Sequence, residues 1–431
     1  MTTQIRIIEP IARRATPFAA AITIAALALT AITPAAQAQA RQPGYTAARF
    51  ATFNIEDLRT AELTGDPSDR ALSAARAIQR LRANVLLINE ITYDQPGDPG
   101  YTAGAERGRN GGRLADLLAA PLPGETGAGI EPIEYRAVML PVNTGIASGF
   151  DLDRNGIAVT DVPPQLSLGA DGTPPPQTAS GRAYGNDAWG FATYPGQYGM
   201  ALLVDERIEV LEDQIRTFRE FRWIDMPDHL MPVVPDRADP TPDPWYAGEA
   251  GERFRLSSKS HWDVPVRTPD GQVLHVLASH PTPPAFDGEE QRNVLRNHDE
   301  IRFWADYISG EGYIVDDAGR RGGLSENAHF VIMGDLNADP EEGDSREGAI
   351  ESLLNHPRVL PASPPSSNTP IEGLDPTDTA MFRLRVDYVL PSADLRVLRS
   401  GIWRYGAESR PFPSDHFPVW ADLAVPRPAN D

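Results

Sequence analysis

The chain has 431 residues, no cysteine and a formal net charge of −21 at pH 7. Without a disulfide framework the fold must rest on an apolar core, which a chain of this length with 41% hydrophobic residues can bury. The acidic balance and the lack of any arginine run leave no broad basic face of the kind a nucleic-acid backbone needs, although a local positive cleft stays open.

In chain order, the first 40 residues read as an export signal. Arg13 and Arg14 precede an apolar stretch over 18–33, and Ala36, Ala38 and Ala40 offer small residues for cleavage. Its removal takes away Arg6, Arg13, Arg14 and Glu9, three positive charges and one negative, so −21 becomes −23. The mature chain is expected to be exported, periplasmic or extracellular, with no integral membrane segment. Short β-branched runs over 49–55, 84–91, 135–140, 200–204, 275–279, 330–334, 386–390 and 419–423 predict strands, several continuous enough to be covered on both faces. Helical periodicity marks 68–82, 112–118, 289–308 and 345–354. The pattern predicts a single α/β domain over 41–431. Two long segments near 143–195 and 227–253, rich in turn-forming residues, read as loop insertions, and their aromatics Trp189, Phe191, Trp245 and Tyr246 predict packing.

Residues that carry chemistry collect at strand ends. The 330–334 run leads into Asp335 and Asn337, two apart, which an extended segment would place on one side to share a ligand. Asp387 lies alone in an apolar run, where a carboxylate is costly without a partner, and His416 beside Asp415 is its first expected pairing. Taken singly, each of these aspartates also reads as a turn cap. Lys259 is the one lysine among 39 basic residues, which hints at a place that wants a compact ammonium. With His261 it is a candidate phosphate contact, against an exposed polar strand as the plain alternative. Asp151, Asp153, Asn155 and Gly156 match the opening of a calcium loop. Val162 in place of the bidentate glutamate rules out an EF-hand and leaves an irregular structural Ca2+ loop. The start of the helix near 109–113 reads equally as an anion site or a plain turn, and Arg292 and Arg296 read as solvated helix residues.

Together the motifs resemble the endonuclease/exonuclease/phosphatase superfamily, the DNase I-like proteins. They run in the family's order as Phe53-Asn54-Ile55-Glu56, Leu87-Ile88-Asn89-Glu90-Ile91, Ala278-Ser279-His280, Gly334-Asp335-Leu336-Asn337, Arg385-Val386-Asp387-Tyr388 and Ser414-Asp415-His416, across about residues 47–425. Asn89 stands where many relatives carry Gln. The resemblance implies a four-layer α/β/β/α sandwich, two mixed sheets packed face to face with outer helices. It implies phosphoester hydrolysis with Mg2+ or Mn2+, held by Asn54, Glu90 and Asp415. In that reading Asp335 orients or deprotonates the attacking water, Asn337 bonds the phosphoryl group and His416, held by Asp387, stabilises developing charge. His280 contacts the phosphoryl group or protonates the leaving oxygen. A nuclease and a phosphatase acting on small phosphorylated substrates stand level, and a sphingomyelinase-like lipid headgroup phosphodiesterase comes third. A non-catalytic exported binding protein is the rival from another class, and no protein partner is indicated.

Overall fold

The computed structural model describes residues 44–124, 129–236, 239, 241–404 and 412–428. The expected export signal lies outside them, and among them no helix is long and apolar enough to cross a membrane.

Period-two alternation builds the centre of the molecule. Val85 and Leu87 point into a core shared with Val276, Val331 and Met333, while Leu86 and Ile88 point the opposite way, against Ala74, Ile78 and Leu114. The first sheet runs in the order Arg396–Ile402, Val419–Pro426, Tyr45–Leu58, Val85–Ile91, Met200–Asp205, Tyr135–Val138. Only its Tyr45–Leu58 and Val85–Ile91 strands are parallel neighbours. The second runs Asp387–Pro391, Phe330–Asp335, Val273–Ser279, His261–Arg267, Glu209–Val210, with Arg216–Thr217 also on His261–Arg267. Its one parallel pair joins Val273–Ser279 to Phe330–Asp335. Side chains of both sheets interdigitate in the core between them.

Helices close the outer faces, giving the four-layer α/β/β/α sandwich. Asp69–Leu81 starts at Ser68, whose hydroxyl accepts from the Ala71 N–H, and stops at Arg82 in the left-handed region. With Asn110–Leu118 it covers the first sheet. Arg292–Ser309 covers the second, burying Phe303, Trp304, Tyr307 and Ile308 over Leu277 and Ile332. The 143–195 and 227–253 segments extend this layer: Trp189 meets Phe254 edge-on, and Tyr246 stacks on Phe254 at 4.0 Å.

Several elements depart from the sequence pattern, among them the helices Ala179–Asn186 and Glu249–Arg253 inside the two expected loop insertions. The helix expected over 345–354 is reduced to its last turn, Glu351–Leu354, because Gly348 takes a positive φ of 87° and the stretch before it forms turns. His261–Arg267 is a strand despite Pro265, and Arg396–Ile402 is an edge strand whose largely exposed polar residues hide the alternation.

Candidate active site

The strand ends of both sheets meet at one edge. Asn54, at the end of the parallel register with Val85–Ile91, is fully buried, and its Nδ2 donates to Glu90 Oε1 and to Asp335 Oδ2, each at 3.0 Å. Glu90 stands in the left-handed region (φ 64°), as do Glu56 and Asp57 (55° and 57°) where the register breaks. Three non-glycine residues in that region hold strain that the surroundings must fix. Here the curled backbone turns the Asp57 N–H onto Glu90 Oε2 at 3.1 Å, while Arg59 and Gln197 grip the Asp57 carboxylate behind it.

Gly334 explains how two neighbouring strands come close enough to join their end residues. Its φ is 153°, and a Cβ there would lie 1.9 Å from the carbonyl oxygen of Ser279. That approach sets Asp335 beside His280, with His280 Nε2 3.5 Å from Asp335 Oδ2 and 3.9 Å from Glu90 Oε1. The strand ends at Asp335, and Asn337 takes a left-handed φ of 53°. The expected same-face pair is therefore replaced by a turn: the Asn337 N–H donates to Asp335 Oδ1 at 3.0 Å, and Asn337 Nδ2 donates to Pro281 O at 3.2 Å.

Asp387 and His416 pair as their burial demands, with Nδ1 to Oδ2 at 2.9 Å. His416 Nε2 then lies 3.7 Å from Asp335 Oδ2 and 3.9 Å from Asp415 Oδ1, and Asp415 is half exposed. Ser414 ties this motif to the first one, donating to the Asn54 carbonyl at 2.7 Å and accepting from the His416 N–H.

The two histidines are driven to opposite proton states. Burial, with Lys259 and His416 nearby, pushes His280 well below its ordinary value. Burial also works against the His416 imidazolium, but Asp387, Asp335 and Asp415 outweigh it and hold the group well above its ordinary value. Burial lifts Glu90 to about 7, against the hydrogen bond from Asn54, and lifts Asp335 to about 6, against the charge of His416. Glu90, His280 and Asp335 offer ligand atoms within 4.8 Å of one another. Buried carboxylates that burial keeps from ionising freely form a donor set that a hard divalent cation satisfies.

Lys259 reaches this floor and His261 does not. Lys259 is buried on the lining of a cavity of about 820 Å³ that also bears Glu90, His280, Asp335, Asn337, Asp415 and His416. Its Nζ donates to Pro281 O at 3.1 Å, and burial draws its pKa down against the pull of Glu300, Glu90 and Asp335. His261 is instead a core residue, correcting the expectation of a phosphate contact. Its ring packs on Phe303 and Trp304, its nitrogens bond Ser257 Oγ and Glu300 O, and burial drives its pKa to about 4. The strand begins only at His261, so the bends over 257–260 break the two-residue parity that would have put it beside Lys259.

Several positioning residues escape sequence reading. Glu300, buried in its helix, accepts from the N–H groups of Ser258 and Thr282 at 2.6 Å each, clamping the segments that carry Lys259 and His280. Asn89 Oδ1 accepts from Thr52 Oγ1 and from the Asp335 N–H. Asn143 pins the insertion to the Lys259 segment through Ser257 O and Lys259 O.

The remaining candidates prove structural or local. Asp94 accepts from the N–H groups of Arg109 and Asn110, so the anion at that helix start is the protein's own. Arg296 is buried, donating to three carbonyls, not solvated. In the 151–156 loop, Asp151 and Asp153 gather with Asp187, while Asn155 spends its Oδ1 on the Ile157 N–H.

Two face-to-face mixed sheets with amide, carboxylate and imidazole groups gathered at one edge define a DNase I-like architecture. Residues 51–416 match the model of the Endonuclease/Exonuclease/phosphatase family, and the chain belongs to that family. Its enzymes are phosphoesterases that use divalent metals. Among solved structures, the chain is similar to an endonuclease/exonuclease/phosphatase from Beutenbergia cavernae, at 18% identity over 88% of this chain and 72% of that one, with a TM-score of 0.44. The human nocturnin catalytic domain with bound sulfate gives 12%, 88%, 94% and 0.43. A mannosyl-6-phosphatase from Bacteroides thetaiotaomicron gives 11%, 88%, 100% and 0.40. No curated protein matches the sequence.

Proposed function

We propose that this protein hydrolyses phosphoesters with Mg2+ or Mn2+, by direct attack of water on the phosphorus. The observation that carries the reading is the convergence on one floor of Glu90, Asp335 and two histidines whose surroundings favour opposite proton states. Glu90 and Asn54 would hold the metal, with Asp415 at the same lip. When bound, the cation neutralises phosphoryl charge and favours a water-derived nucleophile.

The chain's own groups account for the rest. Asp335, lifted to about 6, sits near neutrality as an acceptor for the proton of the attacking water, and Asn54 and Asn337 fix its two oxygens. His416, kept as imidazolium by Asp387, faces the charge that builds on the phosphoryl oxygens. His280, favoured neutral, serves as a hydrogen-bond donor to a phosphoryl oxygen, a part that suits it better than general acid. Asn337 contributes its amide to the same oxygens. Lys259 adds a compact positive charge at the back of the floor.

The net charge of −21 supports small phosphorylated substrates over long polyanions. The leader-like sequence over 1–40 supports action outside the cytoplasm, which N-terminal sequencing of protein from fractionated cells would test. Retention of the whole residue set stands against an inert binding protein. Chelator-sensitive hydrolysis of bis-(p-nitrophenyl) phosphate and of the monoester tests the activity itself. Asp335→Ala and His416→Ala should each lower kcat by on the order of 10²-fold or more. Ordinary rates in both variants would remove the mechanism.

A further inference from the structure

The rim of the cavity is aromatic. Among the described residues, the exposed large hydrophobic side chains include three phenylalanines, Phe286 at 93%, Phe382 at 45% and Phe191 at 38%. All three line the active-site cavity, whereas the exposed aliphatic residues Ile157, Leu166 and Ile224 do not. Tyr198 joins them on the same lining.

Phe286 is the most telling. It stands six residues beyond His280 at a φ of 63°, a left-handed conformation that strains a bulky residue. Its loop is pinned on both sides. Pro283 and Pro284 precede it, Asn293 Nδ2 donates to Ala285 O at 2.8 Å, and the Asp287 carboxylate accepts from the N–H groups of Asn293 and Val294. A loop held this firmly that leaves its ring in water gains nothing from packing the ring, so its use lies with whatever enters the cavity. On the His416 side, Phe382 meets that imidazole edge-on at 5.2 Å, which sets the second ring against the group proposed to face the phosphoryl oxygens. Arg292 stands on the same lining, with its Nε 3.8 Å from Glu290 Oε1.

We infer that Phe286 and Phe382 select substrates by stacking a planar heteroaromatic ring, so that the site takes nucleoside phosphates. The inference rests on the phosphoesterase reading and names its substrate class. A flat ring with polar edges suits walls that mix aromatic faces with Arg292, Arg182 and Gln177, whereas a lipid chain would want a continuous apolar surface. Glu342 and Asp344 on the lining oppose a run of further phosphates, which limits the ligand to a mononucleotide or a short unpaired end.

The test is steady-state kinetics of the Mg2+-loaded, full-length protein on adenosine 5′-monophosphate and thymidine 5′-p-nitrophenyl phosphate, against glycerol phosphate as a ring-free ester. The wild type should prefer the nucleosides. In Phe286→Ala the ratio of kcat/KM for nucleoside over glycerol phosphate should fall about tenfold, through KM, and Phe286→Trp should restore it. An equal effect on both substrates, or none, overturns the inference. So does loss of binding to phosphatidylcholine vesicles with nucleoside KM unchanged, which would assign the ring to a membrane. A wild type that hydrolyses esters without preferring nucleosides sinks the ring inference and leaves the site reading standing, whereas failure on every ester with either metal sinks the site reading.

Discussion

Gly334→Ala would separate the two residues at the centre of the proposed chemistry without touching either. The new Cβ would sit 1.9 Å from Ser279 O, where ordinary contact begins near 3.4 Å, so Phe330–Asp335 and Val273–Ser279 must part by about 1.5 Å at their ends. Both partners are backbone in a paired ladder, so no flexible side chain can absorb the shift. Overpacking of this kind costs about 1–3 kcal/mol, and a misplacement near 1 Å costs on the order of 10²-fold in rate. Because His280 follows Ser279 and Asp335 follows Gly334, their 3.5 Å approach should open, and activity should fall much further than stability. Thermal melting beside kcat/KM on bis-(p-nitrophenyl) phosphate reads both. A folded variant with wild-type turnover would refute the idea that this close approach sets the site.

Three further outcomes follow from the same geometry. Burial raises the Glu90 pKa from 4.5 to about 7, so in metal-free protein its contribution to stability is complete below about pH 4.5 and lost as pH rises through 7. Metal must displace that proton, so calorimetric metal affinity should fall about tenfold per pH unit below 7 and level off above; a flat profile from pH 5 to 8 would contradict it. In Asp387→Asn the charge that holds His416 up is gone, so the alkaline limb of the pH–rate profile should move to lower pH and kcat/KM fall about 10- to 100-fold at pH 8; an unmoved limb would show that Asp387 only packs. His261→Gln should lower the melting temperature by several degrees while sparing KM, since the ring packs against Phe303 and Trp304 and is absent from the cavity lining; a raised KM with normal melting would restore its sequence-based role.

The strands and the buried Asp387–His416 pairing were legible because their logic is local or energetic. Short apolar runs mark Val85–Ile91 and Phe330–Asp335, and Asp387 in an apolar strand needs a partner such as His416. Glu300 was not legible, because an acid in a polar helix looks solvated until the fold brings Ser258 and Thr282 to it from sequence positions 42 and 18 away. Parity arguments also have a range. They hold inside a strand, and they fail for Asn337 and Lys259, where the chain leaves or has not yet entered extended conformation.

Ser414 joins the two ends of the folded chain. Its hydroxyl bonds the Asn54 carbonyl across 360 positions, and Val419–Pro426 pairs with Tyr45–Leu58. A growing chain that stops short of residue 414 can form Val273–Ser279 and Phe330–Asp335 and place His280 beside Asp335, yet it lacks His416, Asp415 and the strand between Arg396–Ile402 and Tyr45–Leu58. Closure therefore depends on the longest loop in the molecule, the slowest kind of contact to form. If the proposed activity holds, competence is expected late in folding, and the appearance of turnover during refolding would time the docking of the last strand onto the first.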